Sequence, residues 1–339
     1  MWRNWSVEFG DTNDGRFKSM PASQNTESTH TARSNLKPEA RPRTLTRQWC
    51  LFGLAVAASS LLYWPALMQL AHLVSQDEGY SHIAVVPLVS AWFLWRCRDQ
   101  LERSADRGSR IGAGIAFGLG VFGYATGWVL YRNNIPGYLS VYMLSLFCVW
   151  VGCFLFAFGL GAARKAAFPL AFLLFMVPLP DVLLQYVIRY LQHGSATLTY
   201  WIFRVLGVPV SRQGFRFALP NLNIEIAQEC SGIRSSISLM LTTLIVAQLS
   251  LSSKVNKLFL AVSVVPIAVF KNAVRIVTLS LLSIYISPSF LTGNLHHRGG
   301  IAFFLLALGL IFGLTELLRQ LEARHVNPHQ PVQVSASEH

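Results

Sequence analysis

The sequence predicts an all-α polytopic membrane protein with about eight transmembrane helices, plus an outward-facing amphipathic helix and a short hairpin between spans five and six. Three observations predict it. Of 339 residues, 53% are hydrophobic and only 13% are charged, where a soluble domain carries about 25% charged residues. Mean hydropathy is +0.42. The apolar residues also gather into runs close to the roughly 20 residues that cross a bilayer.

Residues 1–46 are rich in Ser, Thr, Asn and Arg without apolar periodicity, which predicts a disordered, basic cytosolic tail. They hold no signal-peptide core, so the first apolar run is expected to remain in the chain. A membrane domain follows over 47–324, then a second polar tail over 325–339. The runs lie roughly at 50–73, 80–96, 111–131, 138–160, 164–180, 230–251, 257–286 and 299–319. The second and fifth are short and contain Pro87 and Pro169; tilt or burial lets such segments cross.

Loop charges set the orientation. Arg33, Lys37, Arg41, Arg43 and Arg47 precede span one, and Arg96, Arg98, Arg103, Arg107 and Arg110 follow span two. Arg164 with Lys165, Lys254 with Lys257, and Arg319 with Arg324 mark the later even loops and the end. The odd loops are poor: "SQDEGYSH" has no Lys or Arg. The positive-inside rule then puts both termini in the cytoplasm and the segment between spans five and six outside.

That segment opens with "DVLLQYVIRYLQHGSATLTYWIFRVLGV", whose apolar residues recur at helical spacing: Leu184, Val187, Ile188, Leu191, then Leu198, Trp201, Ile202, Val205. An amphipathic helix or helix pair along the interface is expected. In "GFRFALPNLNIEIAQE", Phe215, Phe217 and Leu219 alternate, as do Leu222, Ile224 and Ile226, around Pro220. This predicts a hairpin leading directly into Cys230.

The net charge of +12 does not point to nucleic acid, because the basic residues sit in the tail and the loops. The five cysteines show no CxxC spacing and no histidine at zinc-finger spacing, so no metal, cofactor or disulfide framework is expected. Cys50, Cys97, Cys148 and Cys153 read as small packing residues.

Cys230 differs. It opens span six in "ECSGIRSS", with Arg234 one turn on. Span seven carries Lys271, Asn272 and Arg275 within one turn of an otherwise apolar helix, where an ionisable group costs a few kcal/mol and needs a cavity or a partner. Span eight is preceded by His296 and His297. The alternation of spans brings cysteine, arginine and histidine to one leaflet. A thiolate is a strong nucleophile whose pKa falls near Arg, His⁺ or a helix N-terminus. Histidine can take the thiol proton and return it to a leaving amine, and a guanidinium can stabilise an oxyanion.

At these residues the sequence resembles the exosortase/archaeosortase family of membrane transpeptidases. "ECSGIRSS" looks like its CSG-I-R-S block and "KNAVRIVTLS" like its N-x-x-R-I block. "HHRGGIAFF" looks like its H-x-x-x-G-x-x-x-F block, a spacing that selects His296 with Gly300 and Phe304 and leaves His297 as second choice. "DEGYSHIAVVPLVSAWFLW" and "FPLAFLLFMVPLP" are similar to two upstream stretches. The resemblance covers about 48–320. It implies cleavage of C-terminal sorting signals of exported proteins, each made of a short Pro-Glu-Pro type motif, a transmembrane helix and a basic cluster. Cys230 would be the nucleophile, Arg275 the oxyanion or substrate-positioning group and His296 the acid/base. The cleaved protein would pass to a lipid or polysaccharide acceptor, or to water. Arg234, Asn272, Lys271, Glu225 and His82 are candidate substrate-binding residues. Ile83 stands where the family usually has Gly, and Glu229 where a small residue often precedes the cysteine. The alternatives are a transporter of anionic solutes and a transferase in exopolysaccharide export.

Overall fold

The computed structural model describes residues 42–104, 109–220, 222–226, 232–287 and 300–326. From Thr44 on they belong to one compact unit. Helix α1 runs Pro42–Leu62 and α11 Gly300–Val326; the expected tails otherwise fall outside the described residues.

The first expected span is bent. Helix α1 stops at Tyr63 and α2 (Trp64–Gln76) leaves at 77°. Pro65 is the cause: it has no N–H for the helical ladder, and its ring excludes the carbonyl of the preceding turn. The break is buried, with Tyr63 only 2% exposed. Its hydroxyl bonds that of Ser145, which in turn donates to the Gly120 carbonyl at 2.6 Å. Helix α3 (His82–Arg96) is short and α4 (Arg98–Ser104) shorter. Helices α5 (Arg110–Arg132) and α6 (Tyr138–Lys165) pack through small residues. A Cβ on Gly120 would lie 2.6 Å from Val149 Cγ2, and one on Gly123 2.9 Å from Ser145 Cβ. Close backbone approach of this kind drives helix association where lipid tails remove any hydrophobic gain.

The expected fifth span is also a bent pair. Helix α7 (Ala167–Phe172) and the 3₁₀ turn Leu173–Met176 rise only about 15 Å, half the bilayer core. Pro178 and Pro180 then end the run, and α8 (Asp181–Val205) departs at 97°. Helix α8 is one continuous helix. It buries Ile188, Leu191, Ser195, Ala196, Thr199 and Phe203 at helical spacing and exposes Tyr186, Tyr190 and Trp201.

The hairpin is a three-stranded antiparallel sheet: β1 (Ser211–Gln213), β2 (Arg216–Leu219) and β3 (Leu222–Glu225) in that order. Phe217 pairs with Ile224 and Leu219 with Leu222, the alternating set read from the sequence. The buried face covers Ala196 and Phe203 of α8 and Val277 of α10 (Lys254–Tyr285). At 32 residues α10 is about 48 Å long, more than a bilayer core, and the sheet packs along its surplus end.

Helices α9 (Ile233–Ser250), α10 and α11 form the last bundle. Ala307 and Ile311 pack with Leu239, and Leu318 with Ala247 and Leu251, so α11 runs parallel to α9. At the far end Glu322 accepts from the Ser252 and Ser253 N–H groups at 2.8 and 3.0 Å and from Asn256 Nδ2 at 2.8 Å. A carboxylate thus caps the start of α10. Ser252 lies 70 residues before Glu322; the same offset sets Gly300 level with the start of α9.

Among the described residues, five helices, α5, α6, α9, α10 and α11, are long and apolar enough to cross a membrane, or up to seven spans if each bent pair counts as one. Helix α3 is a shorter apolar helix. The protein is an all-α polytopic membrane protein with one small sheet. Of the cysteines read as packing residues, Cys153 is buried, Cys97 and Cys148 half-buried and Cys50 exposed.

Candidate active site

The site grows from the start of α9. Gly232 takes φ +73°, ψ 17°, a left-handed conformation that only glycine adopts without strain. Space is tight as well: a Cβ there would lie 3.3 Å from Asn272 Oδ1, closer than most real Cβ contacts, and in ordinary contact with Lys271 Nζ at 3.6 Å. The Gly232 carbonyl accepts from the Ser236 N–H at 2.9 Å and from the Ser235 and Ser236 hydroxyls at 3.0 and 2.8 Å. The backbone at the glycine that ends the "CSG" triplet is therefore held against two polar side chains of α10.

Those side chains are buried inside a membrane helix, Lys271 at 3% and Asn272 at 1% exposure. Lys271 Nζ donates to the Ser235 hydroxyl, and Asn272 Nδ2 to Ser195 Oγ of α8 at 3.1 Å. Each partner removes part of the penalty of a polar group out of water. Together the bonds tie α8, α9 and α10 at one end of the bundle. Lys271 lies about 25 Å along α10 from Lys254, which places the cluster near the edge of the bilayer core. Arg275, one turn further along, is half-buried.

A second polar group closes the other side of α9. Arg234 Nη2 pairs with Asp77 Oδ1 at 3.3 Å. Asp77 Oδ1 also accepts from the Gly79 N–H at 2.7 Å, and His82 Nδ1 lies 3.1 Å from the Gly79 carbonyl. The "DEGYSH" turn is thereby strapped onto the start of α9. The sequence had singled out His82 and Arg234 but not Asp77, their link.

Glu225 sits elsewhere. It pairs with Arg216 Nε across the sheet at 3.1 Å, in a polar cleft of about 390 Å³. The strand end beside it is tied down: the Ile226 carbonyl accepts from Gln192 Nε2 of α8, and the Ile226 N–H donates to Phe215 O at 3.0 Å. Cys230, His296 and His297 lie outside the described residues.

The structure thus brings Arg234, Lys271, Asn272 and His82 around the Gly232 end of α9, with Arg275 beside them, and leaves Glu225 on the sheet. Sequence reasoning missed Asp77, Gln192, Ser195 and Ser235. Ser235 stands three residues past Gly232 in the quoted motif, a signal that was present; the other three are joined only by tertiary contacts. Among the described residues no three His, Cys, Asp or Glu side chains gather as metal ligands would.

Such a site combines a helix N-terminus, buried hydrogen-bond donors and cations near the membrane edge, an arrangement suited to holding an anion or a polarised carbonyl. Residues 73–313 match the family model described as transmembrane exosortase (Exosortase_EpsH). No curated protein and no solved structure matches the chain. The family match runs from the end of α2 into α11 and takes in every element that builds the site. Since it spans well over half of the sequence, the chain belongs to the transmembrane exosortase family.

Proposed function

We propose that the chain is a cysteine transpeptidase that cleaves C-terminal sorting signals of the Pro-Glu-Pro type from exported proteins at the outer face of a bacterial inner membrane. Family membership supports a membrane transpeptidase-like role in general. The observation that carries the finer reading is the seating of Gly232 against Lys271 and Asn272. Cys230 is two residues upstream, so the covalent chain keeps its Cα within about 7 Å of that of Gly232. The start of α11, level with that of α9, lies four residues after His296, with His297 the second choice.

In the proposed reaction the Cys230 thiolate attacks the scissile carbonyl carbon. The oxyanion is stabilised by Arg275, aided by the neighbouring donors of Lys271 and Asn272. The C–N bond breaks as His296 gives its proton to the leaving amine, and a thioester remains on Cys230. An acceptor nucleophile, from a lipid, a polysaccharide or water, attacks the thioester, loses its proton to His296 and restores the thiolate. Arg234 and His82 border the substrate's approach.

The test is co-expression with a tagged exported protein that ends in a Pro-Glu-Pro motif, a transmembrane helix and a basic cluster. The wild type is expected to shorten the tag-bearing product. Cys230→Ala should abolish processing, and Arg275→Ala and His296→Ala should each lower it by at least about 100-fold. Undiminished processing by Cys230→Ala would overturn the reading.

A further inference from the structure

A cavity of about 990 Å³ opens between α8, α9, α10 and the turn after α7. Its wall is apolar: Val187 and Leu191 from α8, Ile237 and Met240 from α9, Val264 and Ala268 from α10. It extends about 10 Å along α9, from Ile233 to Met240. Its rim is different. Tyr186, Arg189, Tyr190 and His193 follow at three- and four-residue spacing on one face of α8, line the opening and are all exposed.

Charge at the rim is one-sided. Arg189 is the only Arg, Lys, Asp or Glu among the described lining residues. The carboxylate on the same helix, Asp181, is about 12 Å back along the axis. Lipid tails are as apolar as the cavity wall, so the wall gives room without preference and the head group must decide the occupant. A guanidinium binds phosphate through two parallel hydrogen bonds, and imidazole and phenol groups add donors.

We propose that this cavity binds one anionic glycerophospholipid of the surrounding bilayer, with acyl chain along the α9 wall and phosphate on Arg189 and His193. The cavity adjoins the candidate active site, since His82, Ile233 and Ser236 also line it, but lipid retention needs no peptide-cleaving step and is read independently of that reaction. A peptide helix, the competing occupant, would fill the wall but bring no phosphate to Arg189.

The full chain in nanodiscs of equal phosphatidylglycerol and phosphatidylcholine, released intact for native mass spectrometry, tests this. One retained phosphatidylglycerol is expected. Arg189→Gln should lower its retention about tenfold, the loss of one charge-assisted contact. Arg204→Gln, exposed near the other end of α8, should leave it unchanged. Met240→Trp, which fills the wall while keeping Arg189, should lower it too. Equal retention of phosphatidylcholine, unchanged retention in Arg189→Gln or Met240→Trp, or a co-purified peptide in place of lipid would each overturn the proposal.

Discussion

Gly232 is the residue on which the site turns. Its left-handed backbone disfavours a Cβ, and Asn272 would crowd one at 3.3 Å. Gly232→Ala is expected to cost about 1–2 kcal/mol from backbone strain alone. It should also push the α9 start away from α10, so processing should fall more than stability does. Thermal unfolding in detergent beside the processing assay checks this; a variant with unchanged midpoint and unchanged processing would remove Gly232 from the account. Lys271 and Asn272 were legible in the sequence because a cation and an amide in an apolar run stand out wherever they occur. Asp77 and Ser195 were not. Their contacts, with Arg234 and with Asn272, span 157 and 77 residues, and no local pattern records a pairing at that separation.

Helix α8 and the β2–β3 hairpin follow from periodicity, since each must bury one face. The remaining elements show where periodicity stops. Strand β1 is polar and largely exposed, held by pairing to β2 rather than by an apolar face, so nothing in "SRQ" announces it. The bends at Tyr63 and at 177–180 have visible causes in Pro65, Pro178 and Pro180, but proline marks a break without fixing its angle; 77° and 97° come from packing. The cap on α10 is a further tertiary device. Glu322 comes from another helix and serves the Ser252–Ser253 turn in place of a local N-cap side chain. Glu322→Ala should therefore destabilise the protein by about 1 kcal/mol, the usual worth of a cap. Because Glu322 sits at the bundle end opposite Gly232, processing below the unfolding midpoint should be unchanged. An unaltered midpoint would show that the cap contributes nothing.

At the scale of the whole molecule, two ends of one bundle carry different chemistry. Lys254, Lys257 and the Glu322 cap mark one end. Gly232, Lys271, Asn272 and the Asp77–Arg234 strap mark the other, about a bilayer core away. The membrane architecture was legible from composition and the apolar runs, and the meeting of spans six and seven from the alternation of crossings. Legibility failed where the chain departs from simple crossings: α7 is half-length and hands over to α8. The distribution of Lys and Arg assigns the Gly232 end to the outer face in our proposal, where an exported protein's sorting motif would arrive with its helix in the same bilayer. That arrangement makes one chemical intermediate the central claim: the substrate's acyl fragment held as a thioester on Cys230. Intact-mass and peptide-mass measurement of the full chain, quenched in acid during processing of the tagged substrate, tests it most directly. The account predicts an adduct on Cys230 equal to the cleaved substrate fragment, released by hydroxylamine and missing from Cys230→Ala. Processing that proceeds without any hydroxylamine-labile adduct, or an adduct on another residue, would contradict it.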